Sequence, residues 1–110
     1  MARPVKGDVV VMPFPYSDLT QAKKRPVLVL QVLELGDCIV CAISTKASTD
    51  SYAIDLRPDD FESGAIRQDS IIRPNKLTTA TPKLFLYTVG RIRKSKLDEV
   101  RAAVTRIINA

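Results

Sequence analysis

The sequence predicts an α+β fold dominated by β, a small and partly open β-barrel with one C-terminal helix. Short β-branched runs recur along the chain, separated by polar stretches that hold proline or glycine. Only the last stretch carries a helical apolar period. A length of 110 residues points to a single domain over 1–110 with room for one modest core.

The elements follow in order. Residues 7–14, Gly-Asp-Val-Val-Val-Met-Pro-Phe, read as a first strand, which Pro13 and Pro15 are expected to end. Residues 16–24 form a polar loop. Residues 27–33 are a second strand whose unbroken apolar character implies burial on both faces. A Gly36-Asp37 turn leads into a third strand, residues 38–44, as an antiparallel hairpin. A Ser/Thr/Lys-rich loop over 45–51 precedes a strand over 52–56. Residues 57–61 open one helical turn, which Glu62-Ser63-Gly64 closes. Residues 65–73 read as strand ended by Pro74, residues 76–83 as irregular, and residues 84–89 as a short strand ending at Gly90. A helix is predicted over 95–108, with Leu97, Val100, Val104 and Ile107 on one face. Ser95 is its expected N-cap, with Asp98 completing a capping box. That makes five or six strands, and the helix is expected to cover part of the barrel.

Composition narrows the chemistry. The chain has no histidine, which excludes a Ser-His-Asp triad, a Cys-His dyad and a His-ligated metal site. No metal site or cofactor is expected. Cys38 and Cys41 have neither a second pair nor a histidine to complete a zinc site, and in a strand they point to opposite faces. They read as strand cysteines. The net charge of +5 is uneven: Lys23, Lys24 and Arg25 form one basic cluster, and Arg91, Arg93, Lys94 and Lys96 another. Such a balance suits a polyanion, and also serves solubility alone. There is no apolar run long enough to span a bilayer and no signal-like segment at the start, so a cytoplasmic location and no membrane contact are expected.

Several polar residues stand beside predicted strand ends. Arg25 precedes Pro26 and the second strand, as a surface cation or as a fixed anion holder. Ser44 and Thr45 follow the third strand, to satisfy backbone groups or to hydrogen-bond a phosphate. Arg67 and Asp69 share a face if their segment is extended, as an ion pair or as an oriented base. Arg73 lies near the end of the same strand. Together they match the needs of phosphodiester cleavage: a planar cation for the phosphorane, a proton acceptor and a proton donor. With RNA the 2′-OH is an internal nucleophile, so no metal is needed.

Gly7-Asp8-Val9-Val10, Arg25-Pro26-Val27-Leu28-Val29, Ser44-Thr45 and Gly64-Ala65-Ile66-Arg67-Gln68-Asp69 followed by Ser70-Ile71-Ile72-Arg73 resemble the MazF/PemK toxins of type II toxin–antitoxin systems. The resemblance runs from Gly7 to the terminal helix. It implies an SH3-like barrel with a C-terminal helix, a homodimer, and a metal-independent endoribonuclease that cuts single-stranded RNA at short sequences. It also implies a cognate antitoxin protein that blocks the site, and DNA binding by the complex of the two. Carried over by position, Arg25, Thr45, Arg67 and Asp69 resemble catalytic residues. Lys23, Lys24, Ser44, Arg73 and Lys76 fall where substrate would be bound. The stretch over 16–24 is shorter than in many members, and Asp18 is its only acid.

Two other functions fit the same reading. One is a toxin of this fold that inhibits a topoisomerase by protein contact. The other is a non-catalytic nucleic-acid or peptide module on an SH3-like barrel.

Overall fold

Val9-Val10-Val11 start a strand by propensity, but pairing decides where that strand ends. The computed structural model describes residues 3–14, 23–44 and 50–110. Among these, seven strands and one helix are present: β1 (Asp8–Phe14), β2 (Lys23–Val32), β3 (Cys38–Ser44), β4 (Ile54–Leu56), β5 (Phe61–Gly64), β6 (Ser70–Ala80), β7 (Tyr87–Ile92) and α1 (Lys94–Asn109). The strands form one antiparallel sheet in the order β4-β6-β3-β2-β1-β7-β5, curled into a half-barrel.

Alternation along the strands sorts the apolar side chains into two sets. On one face Val9, Leu28, Cys41, Ile43 and Ile72 meet Leu56 from β4, Phe61 from β5, and Leu97 and Val100 from α1. On the other face Val10, Met12, Val27, Val29, Val40 and Ala42 pack with Ala80 and with Phe85, which precedes β7. Apolar side chains of β2 are thus buried on both faces, as its unbroken apolar run implies. Truncating Leu28, which is fully buried, removes contacts worth about 2–5 kcal/mol.

The helix lies along the first face. Lys96 ties it to the β4–β5 region: its Nζ lies 3.7 Å from Asp60 and donates to the Asp55 carbonyl at 3.2 Å, while also lying 3.1 Å from Glu99 of the helix itself. Arg101 donates to the carbonyl of Leu30 in β2. The start of the helix differs from the expected capping box. Arg93 is the N-cap and makes no side-chain cap. Asp98 instead accepts from Lys94 at 2.8 Å, one turn earlier, so Ser95 sits inside the first turn. Leu97 and Val100 are buried, and Val104 and Ile107 are half-buried.

Several boundaries move, each for a pairing reason. Pro13 does not end β1; it pairs with Lys24. β7 flanks β1 only over Asp8–Val11, so beyond that point β1 has one neighbour and a missing N–H is tolerated. β2 accordingly begins at Lys23, not at residue 27, and the basic cluster lies in the strand. Pro26 pairs with Val11 and lies before the first β3 pair at Val27. The second proline correction is in β6. Cys41 faces Leu77 and Ala42 faces Arg73, so Pro74, Asn75 and Lys76 form a bulge and the strand runs on to Ala80. Residues 65–69 are irregular rather than strand, residues 61–64 form β5 rather than closing a turn, and β7 starts at Tyr87 and runs through Gly90. The predicted helical turn is present as one 3-10 turn at Pro58–Asp60, and a second lies at Pro82–Leu84. Pro15 and most of the predicted loop over 16–24 lie outside the described residues.

Gly64 explains the junction from β5 to the irregular segment. Its φ is +68°, a conformation that L side chains resist. It also faces Gly90 so closely that a Cβ there would lie 2.2 Å from the Val89 carbonyl oxygen. The glycine pair lets β5 lie against β7 before the chain turns toward β6.

Candidate active site

β2 places Arg25 opposite Met12. Alternation puts it on the same face as Val27 and Val29, away from the helix. Arg73 in β6 faces Ala42 in β3, and Ala42 faces Val27. Ser44 lies two residues beyond Ala42, opposite Ile71. Arg25, Ser44 and Arg73 therefore occupy one face of three adjacent strands. Neighbouring strands are about 4.8 Å apart and a two-residue step is about 7 Å, so the two arginine side chains are long enough to reach a common group.

The Arg73 end of this face is fixed by a buried carboxylate. Arg73 Nε donates to Asp50 at 3.1 Å, with Asp50's side chain only 8% exposed. Asp50 also accepts from the Tyr52 amide at 2.9 Å and from the Asn75 side chain. Burial works against its charge, but the Tyr52 amide, Arg73 and Asn75 together hold the carboxyl below its ordinary value. Asn75 comes from the β6 bulge, and its Oδ1 is buried with no hydrogen-bond partner among the described residues. Arg73 and Asn75, two residues apart in β6, thus bring two polar side chains to the same acid.

The other expected residues are distributed as follows. Lys23 and Lys24 are exposed at the start of β2, opposite Phe14 and Pro13. Lys76 is half-buried in the bulge. Thr45 lies outside the described residues. Arg67 and Asp69 are exposed in the irregular segment, so the expected shared strand face is not there. The physical reason is topological: this segment leaves β5 at one edge of the sheet and enters β6 near the other, so no described strand pairs with it. Arg67 lines an open groove of about 810 Å³ with Val11, Pro26, Gln68 and Tyr87. Pro26 points to the opposite side of β2 from Arg25, so Arg25 and Arg67 approach the same strand from its two faces.

Asp50, Asn75 and Tyr87 belong to these surroundings and were not among the residues singled out from sequence. Asp50 meets Arg73 across 23 positions, and no local pattern announces such a contact. Asn75 follows Arg73-Pro74, where a proline inside a polar run was the available signal for a bulge. The cysteines behave as expected: Cys38 and Cys41 are buried, on opposite faces, and not in a disulfide. Burial pushes the Cys41 thiol up to about 12.

The family model of the PemK-like, MazF-like toxin of type II toxin-antitoxin systems matches residues 5–108. The chain belongs to this toxin family. The match takes in all seven strands of the toxin fold and nearly all of α1. No curated protein matches the chain in sequence. Solved structures share its fold at low identity. MazF from Deinococcus radiodurans superposes with a TM-score of 0.76 at 15% identity, covering 100% of both chains. An endoribonuclease from Mycobacterial species, solved in complex with its cognate antitoxin, gives 0.73 at 13% identity, over 96% of this chain and 95% of that one. The Mycobacterium tuberculosis toxin MazF-mt6 gives 0.67 at 17% identity, over 93% and 96%. Among the described residues, no helix is long and apolar enough to cross a membrane.

Proposed function

We propose that this toxin-family chain is an endoribonuclease that cuts single-stranded RNA without a metal, works as a homodimer, and is silenced by a cognate antitoxin. The observation that carries the reading is the common face of Arg25, Ser44 and Arg73 on three adjacent strands. The fold it shares with structures described as endoribonucleases adds support.

The proposed chemistry is internal transesterification. The RNA 2′-oxygen attacks the adjacent phosphorus, the bond to the 5′-oxygen breaks as that oxygen takes up a proton from water, and a 2′,3′-cyclic phosphate and a 5′-hydroxyl result. Arg25 neutralises the charge that builds on the non-bridging oxygens, through a planar fork of donors. Ser44 and Thr45 hydrogen-bond the same phosphate. Asp69 takes the proton of the 2′-hydroxyl, and Arg67 adds a second cation for the substrate. Arg73, tied to Asp50, positions the neighbouring phosphate, while Lys23, Lys24 and Lys76 attract the strand. The antitoxin would present acidic groups to the same cations, so RNA and antitoxin exclude each other. Incubation of the purified protein with mixed single-stranded RNA in EDTA tests the reading. Cleavage lost on Arg25→Ala supports it. Growth inhibition that survives this change with no cleavage points instead to a protein target.

A further inference from the structure

The groove on the far side of Pro26 is used by none of the steps above except through Arg67 at its rim. Its floor is apolar, with Val11, Pro26 and Val89, and its polar groups are Arg67, Gln68 and Ser70. Tyr87 is its aromatic wall and is 57% exposed. Tyr87 is the first residue of β7 and pairs with Val11, while the preceding amide, that of Leu86, donates to the Val11 carbonyl at 2.8 Å. The ring is therefore carried by a backbone fixed on both strands. The segment that carries Arg67 and Gln68 is also held. Ser70 Oγ donates to the Gln68 carbonyl at 3.1 Å, which pins the bend that presents Arg67 and Gln68.

An exposed tyrosine alone is ordinary. Here it lines one groove with a guanidinium, a side-chain amide and apolar residues, in a volume large enough for one or two nucleotides. An unpaired nucleobase needs this combination: a ring to stack on, an amide to read its edge, and a cation for its phosphate. The groove is next to the proposed base, because Asp69 follows Gln68 directly, and it borders the strand that carries Arg25, whose side chain leaves β2 on the other face from Pro26. We infer that this groove is a base-binding subsite that takes an unpaired base flanking the scissile phosphate, with Tyr87 stacking it and Gln68 reading its edge. The inference rests on the ribonuclease reading for its substrate, and the test separates the two.

The full-length protein is given a randomised single-stranded RNA, the cut ends are sequenced, and kinetics are then followed on the best-cut oligonucleotide. Tyr87→Ala is expected to raise KM about tenfold, with kcat changed less than threefold, and to flatten the base preference at one position beside the cut. Tyr87→Phe is expected to behave as wild type. Gln68→Ala, at an exposed position, is expected to change which base is preferred at that same position. Removing that base from the oligonucleotide should cost the wild-type enzyme about tenfold and Tyr87→Ala nothing further. Unchanged KM and base preference in both Tyr87→Ala and Gln68→Ala would overturn the subsite. If the wild-type protein cuts no RNA, the ribonuclease reading fails, and binding of the 2′-O-methyl form of a mixed-sequence RNA decides about the groove. A tenfold loss of that binding in Tyr87→Ala keeps the base site; equal binding removes it.

Discussion

Asp50 and Arg73, 23 residues apart in sequence, are joined by a 3.1 Å ion pair in which the acid is nearly buried and the base mostly so. The pair links the entry to β4 with the middle of β6, and it carries the polar end of the candidate site. Asp50→Asn keeps the shape and removes the charge. It is expected to cost about 1–3 kcal/mol of stability at neutral pH, read from urea unfolding. The sign with pH follows from the depressed carboxyl. The folded value lies below the ordinary 3.8, so the contribution is fully present above that value and is lost as pH falls through the folded one. Wild-type and Asp50→Asn stabilities should therefore converge in acid. A gap that stays constant down to the lowest pH at which both fold would contradict the pair's role.

Gly64 and Gly90 set the second expectation. A Cβ on Gly64 would sit 2.2 Å from a backbone oxygen and 2.5 Å from the Gly90 Cα, at a φ of +68°. Neither neighbour is a side chain that can swing away. Gly64→Ala is expected to destabilise the fold by more than about 1 kcal/mol, measured as a lower unfolding midpoint. A midpoint equal to wild type would mean that β5 does not approach β7 as described.

Asp69 is expected to act on the chemical step. Asp69→Asn should lower kcat by at least about 10²-fold, the size of a lost general base, while RNA binding changes little. Asp69 is exposed and lies in no regular element, so the substitution should leave the unfolding midpoint in place. Equal losses in kcat and in binding would assign Asp69 a structural role instead.

Much of the fold could be read from local pattern. The β-branched starts of β1 and β3 and the apolar face of α1 are written into neighbouring residues, and β3 matches its expected bounds. The failures share one cause. Pro13, Pro26 and Pro74 look like strand ends in sequence, yet each lies at a position with a neighbour missing or at a bulge. Whether a proline is tolerated depends on the second neighbour of its strand, which only the sheet order reveals. The site divides in the same way. Arg25 could be singled out because it precedes a proline and an apolar strand. The Asp50–Arg73–Asn75 cluster could not, because its members meet only through the pairing of β4 with β6. The expectation that Arg67 and Asp69 share a strand face failed because their segment crosses between non-adjacent parts of the sheet.

The proposed function stands or falls on whether the face holding Arg25 cuts RNA. The most direct measurement is cleavage of mixed single-stranded RNA by the purified protein in EDTA, with wild type beside Arg25→Ala. Wild type is expected to yield fragments ending in 2′,3′-cyclic phosphate. Arg25→Ala, still folded, should cut about 10²–10³-fold more slowly, as expected when a transition-state donor is lost. No cleavage by the wild type, or equal cleavage by both proteins, would contradict it.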